Sequence, residues 1–426
     1  MSVNESLLAR RKRSLGENSP LFFERPLHLT RGSGVWVYDN EGRKYLDVYN
    51  NVPHVGHCHP HVVEAISKQS EILNIHTRYL HENVVEYAER LLATFDRPLD
   101  VASFVCTGTE ANELALRIAR NCSMNRGVIV TNFSYHGNST ALAEMTTALP
   151  APEALAPYIR SIAIPDTLSV GPGDGARQDI DPLDRLRAAI ESLQREGHGV
   201  AAILFDTIFS TEGLLSVPAN FVRDAAALVR AAGGFVIADE VQPGLGRTGE
   251  AMWGYKAHGI VPDFVTMGKP MGNGHPVGCM VTRSDLLNHF TSKALYFNTF
   301  GGNPVSCAAG MAVLDVIEQE QLVANAHAVG AYLSDQLKAL QTKHSVVANV
   351  RGRGLFFGLE LTKGSQGSDP ATEETVRLVN YAKDQGVLIS KIGPHENVLK
   401  MRPPMPFGTE HADILVAVLD DALSAL

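Results

Sequence analysis

Between about residue 60 and residue 300, short apolar runs alternate with segments whose apolar residues recur every three or four positions. The runs cover 101–106, 127–131, 200–205, 235–238, 264–267 and 277–281. They lack the strict alternation of a half-buried strand, so they predict strands covered on both faces. Between them, Ala111, Leu114, Ala115, Ile118 and Ala119 fall on one helical face. A second helical segment, 221–232, is closed by Gly233 and Gly234. Strand and helix in alternation predict an α/β fold built on a mainly parallel sheet with helices on both sides.

The flanks follow a different pattern. Residues 35–38, followed by Asp39, Asn40, Glu41 and Gly42, read as a hairpin. After Asn303 and Pro304 a long helical stretch runs to about Lys343. A smaller mixed unit follows, with strands near 350–361, 387–390 and 398–401, a helix from about Pro370 and a terminal helix to Leu426. The polar stretch 362–370 reads as an exposed loop. The expected organisation is an N-terminal segment, 1–55, that contributes to a small domain. A large domain, 56–303, and a linking helix with the C-terminal small domain, 304–426, complete it.

Composition narrows the function classes. The formal net charge of −9 gives no whole-chain case for nucleic acid. The basic run Arg10 to Arg13 reads as the solvated face of a helix. Five cysteines, an odd number in a long chain, argue against a disulfide framework and for a reducing compartment. No apolar run reaches the ~20 residues of a membrane span, and no secretory-type apolar stretch follows the basic residues. The expectation is a cytoplasmic protein with no membrane or nucleic-acid partner.

Four segments carry candidate chemistry, and each follows an apolar strand. Lys269 lies in the turn Gly268-Lys269-Pro270-Met271-Gly272. A lysine held against low-dielectric walls has a lowered pKa, which suits it to forming a Schiff base. Asp239 ends the run 235–238, and a carboxylate there can keep a pyridine nitrogen protonated. Thr107, Gly108, Thr109 and Glu110 turn a strand into a helix with capping-box spacing, which leaves backbone N–H groups for an anion. Tyr135, before His136 and Gly137, can stack on a heteroaromatic ring. Singly, each has an ordinary alternative: a surface lysine, an N-cap, a plain strand–helix turn, a core tyrosine. Together they make an imine lysine, a pyridinium partner, a phosphate cradle and a stacking ring on one sheet edge. That is the set pyridoxal 5'-phosphate (PLP) requires.

With these residues the chain resembles the class III (omega-type) aminotransferases of fold type I. The motifs are Thr-Gly-Thr-Glu-Ala-Asn at 107–112, Tyr-His-Gly at 135–137, Ala-Asp-Glu-Val-Gln at 238–242 with Gly-Arg-Thr-Gly at 246–249, Gly-Lys-Pro-Met-Gly-Asn-Gly-His-Pro at 268–276 and Asn-Thr-Phe-Gly-Gly-Asn-Pro at 298–304. The resemblance implies that Lys269 carries PLP and Asp239 pairs with its ring nitrogen. It implies that Gly108 and Thr109 hold the phosphate, with Tyr135, His136 and Gln242 beside the ring. Thr299 matches a threonine that reaches the phosphate from a neighbouring subunit, which implies a homodimer with shared sites. Arg402 falls at the substrate-carboxylate position, and His54 and Val52 face the substrate by the same analogy.

Segments 51–60, 76–83 and 393–404 look like a branch that includes the ethanolamine-phosphate phospho-lyases. The stretch 206–213 departs from the family pattern, so the acidic partner that some members use to switch the arginine is not evident. The first expectation is an omega-type transaminase that moves an amino group to a keto acid such as pyruvate. The alternative is a phospho-lyase acting on a phosphorylated amino alcohol, which needs several cations around the substrate phosphate; Lys400, Arg402 and Arg78 are candidates. Two further patterns are not read as sites. Gly244 to Gly249 fits G-x-G-x-x-G but does not directly follow its strand. His54, His57, His59 and His61 with Cys58 lack the spacing of a metal site, so no metal is expected.

Overall fold

In the computed structural model, residues 3–148, 152–168, 181–364 and 369–426 are described. Seven strands form the central sheet, in the order Val101–Val105, Gly278–Thr282, Phe264–Met267, Phe235–Asp239, Ala202–Asp206, Val128–Thr131 and Ile159–Ile162. Gly278–Thr282 runs antiparallel to both neighbours; the other pairings are parallel. The mixed α/β fold with a mainly parallel sheet is therefore as expected. Strand Ala202–Asp206 is buried at every position, and so is Phe264–Met267, which explains why both read as unbroken apolar runs.

The helix Gly108–Ser123 packs on this sheet through Ala111, Leu114, Ala115, Ile118 and Ala119, all buried. Its start is fixed by a reciprocal capping box between Thr107 and Glu110. The second predicted helix spans Phe221–Ala231 and buries Phe221, Val222, Ala225, Ala226 and Val229.

The two chain ends share a sheet. Leu29–Ser33, Trp36–Asp39 and Lys44–Asp47 form a meander, and Val387–Leu388 pairs in parallel with the third of these strands. The predicted hairpin turn is closed by Asp39, whose carboxylate accepts from the N–H groups of Glu41 and Arg43. A further sheet joins Val347–Arg353, Phe356–Lys363, Val398–Met401 and Ser390–Ile392.

Two expectations need correction. The long helix after Pro304 is two helices, Pro304–Gln319 and Leu322–Lys343. They break at Gln321, whose φ of 52° is left-handed and cannot continue a right-handed helix. The expected loop 362–370 is partly strand: Asp369 and Pro370 pair back onto Lys363 and Thr362. Residues 365–368 of that stretch lie outside the described residues. No helix among the described residues is long and apolar enough to cross a membrane.

Candidate active site

Three adjacent parallel strands end in register. Asp206 pairs with Asp239, and Asp239 with Thr266, so both carboxylates and the turn bearing Lys269 meet at the C-terminal sheet edge. Ligands bind at that edge in open α/β sheets. A cavity of about 330 Å³ opens there. Its lining includes Val52, Gly108, Thr109, Tyr135, His136, Asp206, Asp239, Gln242 and Lys269.

Asp239 is buried and fully partnered. It accepts from Asn112 Nδ2 at 3.0 Å and Val241 N at 3.0 Å, and its Oδ2 lies 2.8 Å from His136 Nδ1. Burial disfavours its charge, but His136, Val241 N and Asn112 outweigh burial and hold the carboxyl below its usual pKa. Asn112 locks this arrangement: it also donates to His136 O at 2.7 Å and accepts from Thr266 Oγ1 at 2.6 Å.

Lys269 is exposed to the cavity, while protein walls keep it from open solvent. This desolvation, and second the Arg402 charge, lower its pKa. An amine that is easier to deprotonate is a better nucleophile toward an aldehyde and a better proton acceptor.

Gln242 joins two cations to the cavity wall. Its Oε1 accepts from Lys400 Nζ at 3.2 Å and from Arg402 Nη1. Both cations are buried, at 4% and 5% exposure, and among the described residues neither has a carboxylate in ion-pair contact. Lys400 and Arg402 are two residues apart, which puts both on one side of the strand path. Burial, then Arg402, hold the Lys400 pKa well below the usual lysine range.

Other expected residues fall elsewhere. His54 is fully buried, with its ring nitrogens 2.7 Å from Leu245 O and 3.1 Å from Arg247 Nη2; it is not in the cavity lining. Thr299 is exposed on a loop with Leu295 and Phe300, outside the lining. Arg78 is also exposed and lies over the Phe297 ring at 3.7 Å. His57, His59 and His61 pair separately with Asp47, Glu320 and Asp315. Sequence reasoning missed Asn112 and Asp206 as site residues. Asp206 carried a signal: it ends an apolar run just as Asp239 does.

The chain matches the family model described as Aminotransferase class-III over residues 23–423. It belongs to the class III aminotransferases. An alanine–glyoxylate aminotransferase 2-like protein of Drosophila melanogaster is 38% identical, covering 98% of this chain and 86% of its own. The ethanolamine-phosphate phospho-lyase homolog 1 of Caenorhabditis elegans is 35% identical, covering 99% and 94%. A solved phospholyase from Arthrobacter, in complex with phosphoethanolamine, is 52% identical with a TM-score of 0.95, covering 99% and 100%.

This class III enzyme takes pyridoxal phosphate as its cofactor, and the cavity fits that group. Gly108 and Gly268 let the turns of the cradle close on one another: a Cβ on Gly108 would lie 2.7 Å from Val241 Cγ2, and one on Gly268 would lie 2.8 Å from Gly108 N. The start of helix Gly108–Ser123 supplies free N–H groups for a phosphate, and Asp239 supplies the negative charge that a pyridinium needs.

One buried acid at this edge makes a stability prediction. Glu212 accepts from Thr131 Oγ1, while its Oε2 is buried without a partner. Burial, then repulsion from Asp206, push its pKa up to about 8. The folded state thus holds a proton that the unfolded chain releases near the ordinary glutamate value of 4.5. Stability is therefore lost as pH rises from about 4.5 toward about 8. Glu212→Gln should match the wild type in thermal denaturation at pH 4.5. At pH 8.5 it should be more stable by on the order of a few kcal/mol. A pH-independent difference would contradict this.

Proposed function

We propose that the chain is a phospho-lyase, acting on a phosphorylated amino alcohol such as ethanolamine phosphate. The observation that carries the reading is the convergence of Lys400 and Arg402 on one neutral acceptor at the cavity wall. Two cations with no carboxylate in ion-pair contact among the described residues suit a dianion better than a single carboxylate. The resemblance to a phospholyase over the full chain points the same way. The sequence pattern placed transamination first. That reading retains support from Arg402, whose guanidinium fork also suits the carboxylate of an amino or keto acid.

The residue roles follow from position. Lys269 would carry the cofactor, Asp239 would pair with its ring nitrogen, Gly108 and Thr109 would hold its phosphate, and Tyr135 and Gln242 would flank the ring. Bound pyridoxal phosphate supplies an electron sink for the pair left when a proton leaves the carbon beside the substrate amine. Lys269 Nζ takes that proton. Lys400 and Arg402 orient the substrate phosphate. They stabilise its added negative charge as the carbon–oxygen bond breaks and phosphate departs. In transamination Lys269 would instead return the proton to the cofactor carbon, and a keto acid would be required as acceptor.

A homodimer is part of the proposal. Leu80 is 100% exposed, Leu295 92% and Phe300 69%. Thr77 and Gly302 approach each other, and His76 packs edge-on against Phe297, so the two segments form one exposed apolar surface. Buried against a second copy, that surface would bring Thr299 and Arg78 to the neighbouring cavity. We further place the protein in the cytoplasm and divide it into an N-terminal segment, 1–55, a large domain, 56–303, and a C-terminal unit, 304–426.

The experiment is a cofactor spectrum. With ethanolamine phosphate and no keto acid, a lyase should keep its absorption near ~420 nm at steady state while phosphate accumulates. A shift to ~330 nm that only pyruvate reverses, with no phosphate released, would favour transamination instead.

A further inference from the structure

The hydrogen bonds behind Gln242 run in one direction. Lysine and arginine have no acceptor, so the edge of the Gln242 amide that faces Lys400 and Arg402 must be the oxygen. The amide nitrogen therefore faces Ser210 and donates to Ser210 Oγ. Ser210 has then used its acceptor side toward Gln242, and its own proton goes to Asp206 Oδ2. Asp206 accepts again from Ile208 N at 2.9 Å. A chain of five residues thus connects two cations to one carboxylate through two neutral side chains. Ser210 is fully buried, so water cannot replace its bonds.

We propose that Ser210 is a positioning residue for anion binding. It anchors the Gln242 amide so that Gln242 Oε1 draws Lys400 and Arg402 together to receive a substrate phosphate. This rests on the phospho-lyase reading. Two like charges repel, and only a shared acceptor aims both at one point. Gln242 occupies Arg402 Nη1, and Tyr49 O accepts from Arg402 Nε at 3.1 Å. Arg402 Nη2 is bonded to neither Gln242 nor Tyr49 O and is assigned to the anion. Asp206 balances the cations at a distance, across the relay, without forming an ion pair that would cancel them. Ser210 touches neither cofactor nor substrate in this account; it acts through Gln242.

The test is calorimetric titration of the PLP-saturated holoenzyme with inorganic phosphate, in the wild type, Ser210→Ala, Gln242→Ala, the double variant and Arg402→Gln. Ser210→Ala should weaken phosphate binding about tenfold, the loss of one such hydrogen bond. On the Gln242→Ala background the same change should have no further effect, because its only route is gone. Additive losses in the double variant would overturn the inference, as would unchanged binding in Ser210→Ala. Thermal denaturation in parallel reports general damage, which would not follow that pattern. If Ser210→Ala does not fold, Ser210→Cys keeps the size with a weak acceptor and should also weaken phosphate binding; unchanged binding there overturns the inference. A wild type that binds no phosphate, or binds it equally well in Arg402→Gln, would overturn the phospho-lyase reading itself.

Discussion

Replacing Lys269 by alanine should remove the band near ~420 nm from the purified protein and reduce turnover by about 10⁴-fold. The magnitude follows from what the site offers in its place. Lys269 is the lysine in the cavity lining, in the turn after the strand next to the one that presents Asp239. Lys400 is held by Gln242 and assigned to the substrate phosphate, not to the carbon that loses the proton. Among the described residues, the cavity lining contains no second lysine to take the proton. Free pyridoxal phosphate should still bind to the variant, because Gly108, Thr109 and Asp239 are untouched. The check is a spectrum after dialysis, together with the rate of phosphate release. A retained band would mean that another lysine carries the cofactor.

The second large effect concerns the cation pair. Lys400→Gln should lower kcat/KM for ethanolamine phosphate about 10²-fold, the scale of a lost hydrogen bond between charged groups. The same variant should change the rate with a carboxylate-bearing amine such as alanine much less, since the Arg402 fork alone suffices for a carboxylate. Arg402→Gln should damage both substrates. Steady-state kinetics on the two substrates check this. An equal loss on both in Lys400→Gln would mean that the lysine serves the fold and not the phosphate.

Much of this site is legible in the sequence because it is local. The capping box at Thr107 and Glu110 marks where a strand becomes a helix, and Asp239 and Lys269 each stand at the end of an apolar run. In a parallel sheet such ends share one edge, so geometry follows from order alone. The edge strand Ile159–Ile162 was not legible: with Arg160 and Ser161 at its centre it lacks an apolar run, since it pairs on one side only. The antiparallel direction of Gly278–Thr282 was hidden for a different reason. A strand covered on both faces looks the same in either direction.

Long-range partners were the least legible. The relay joins Asp206, Ser210, Gln242, Lys400 and Arg402 across three segments, and nothing local in 206–213 says that Ser210 faces Gln242. A signal existed for the cations: Lys400 in an otherwise apolar strand and Arg402 just after its end stand two apart, which puts two charges on one side of a buried strand path. His54 is the opposite case. The family resemblance implies a substrate role, but Leu245 O and Arg247 engage its ring, and burial lowers its pKa to about 3. It is a neutral packing residue that supports Arg247.

The central claim, that the two cations serve a leaving phosphate, is tested most directly by ³¹P NMR of the holoenzyme with ethanolamine phosphate and no keto acid. The account predicts inorganic phosphate accumulating over many turnovers per site. Retention of the phosphomonoester signal throughout, or a single turnover that resumes only when pyruvate is added, would contradict it.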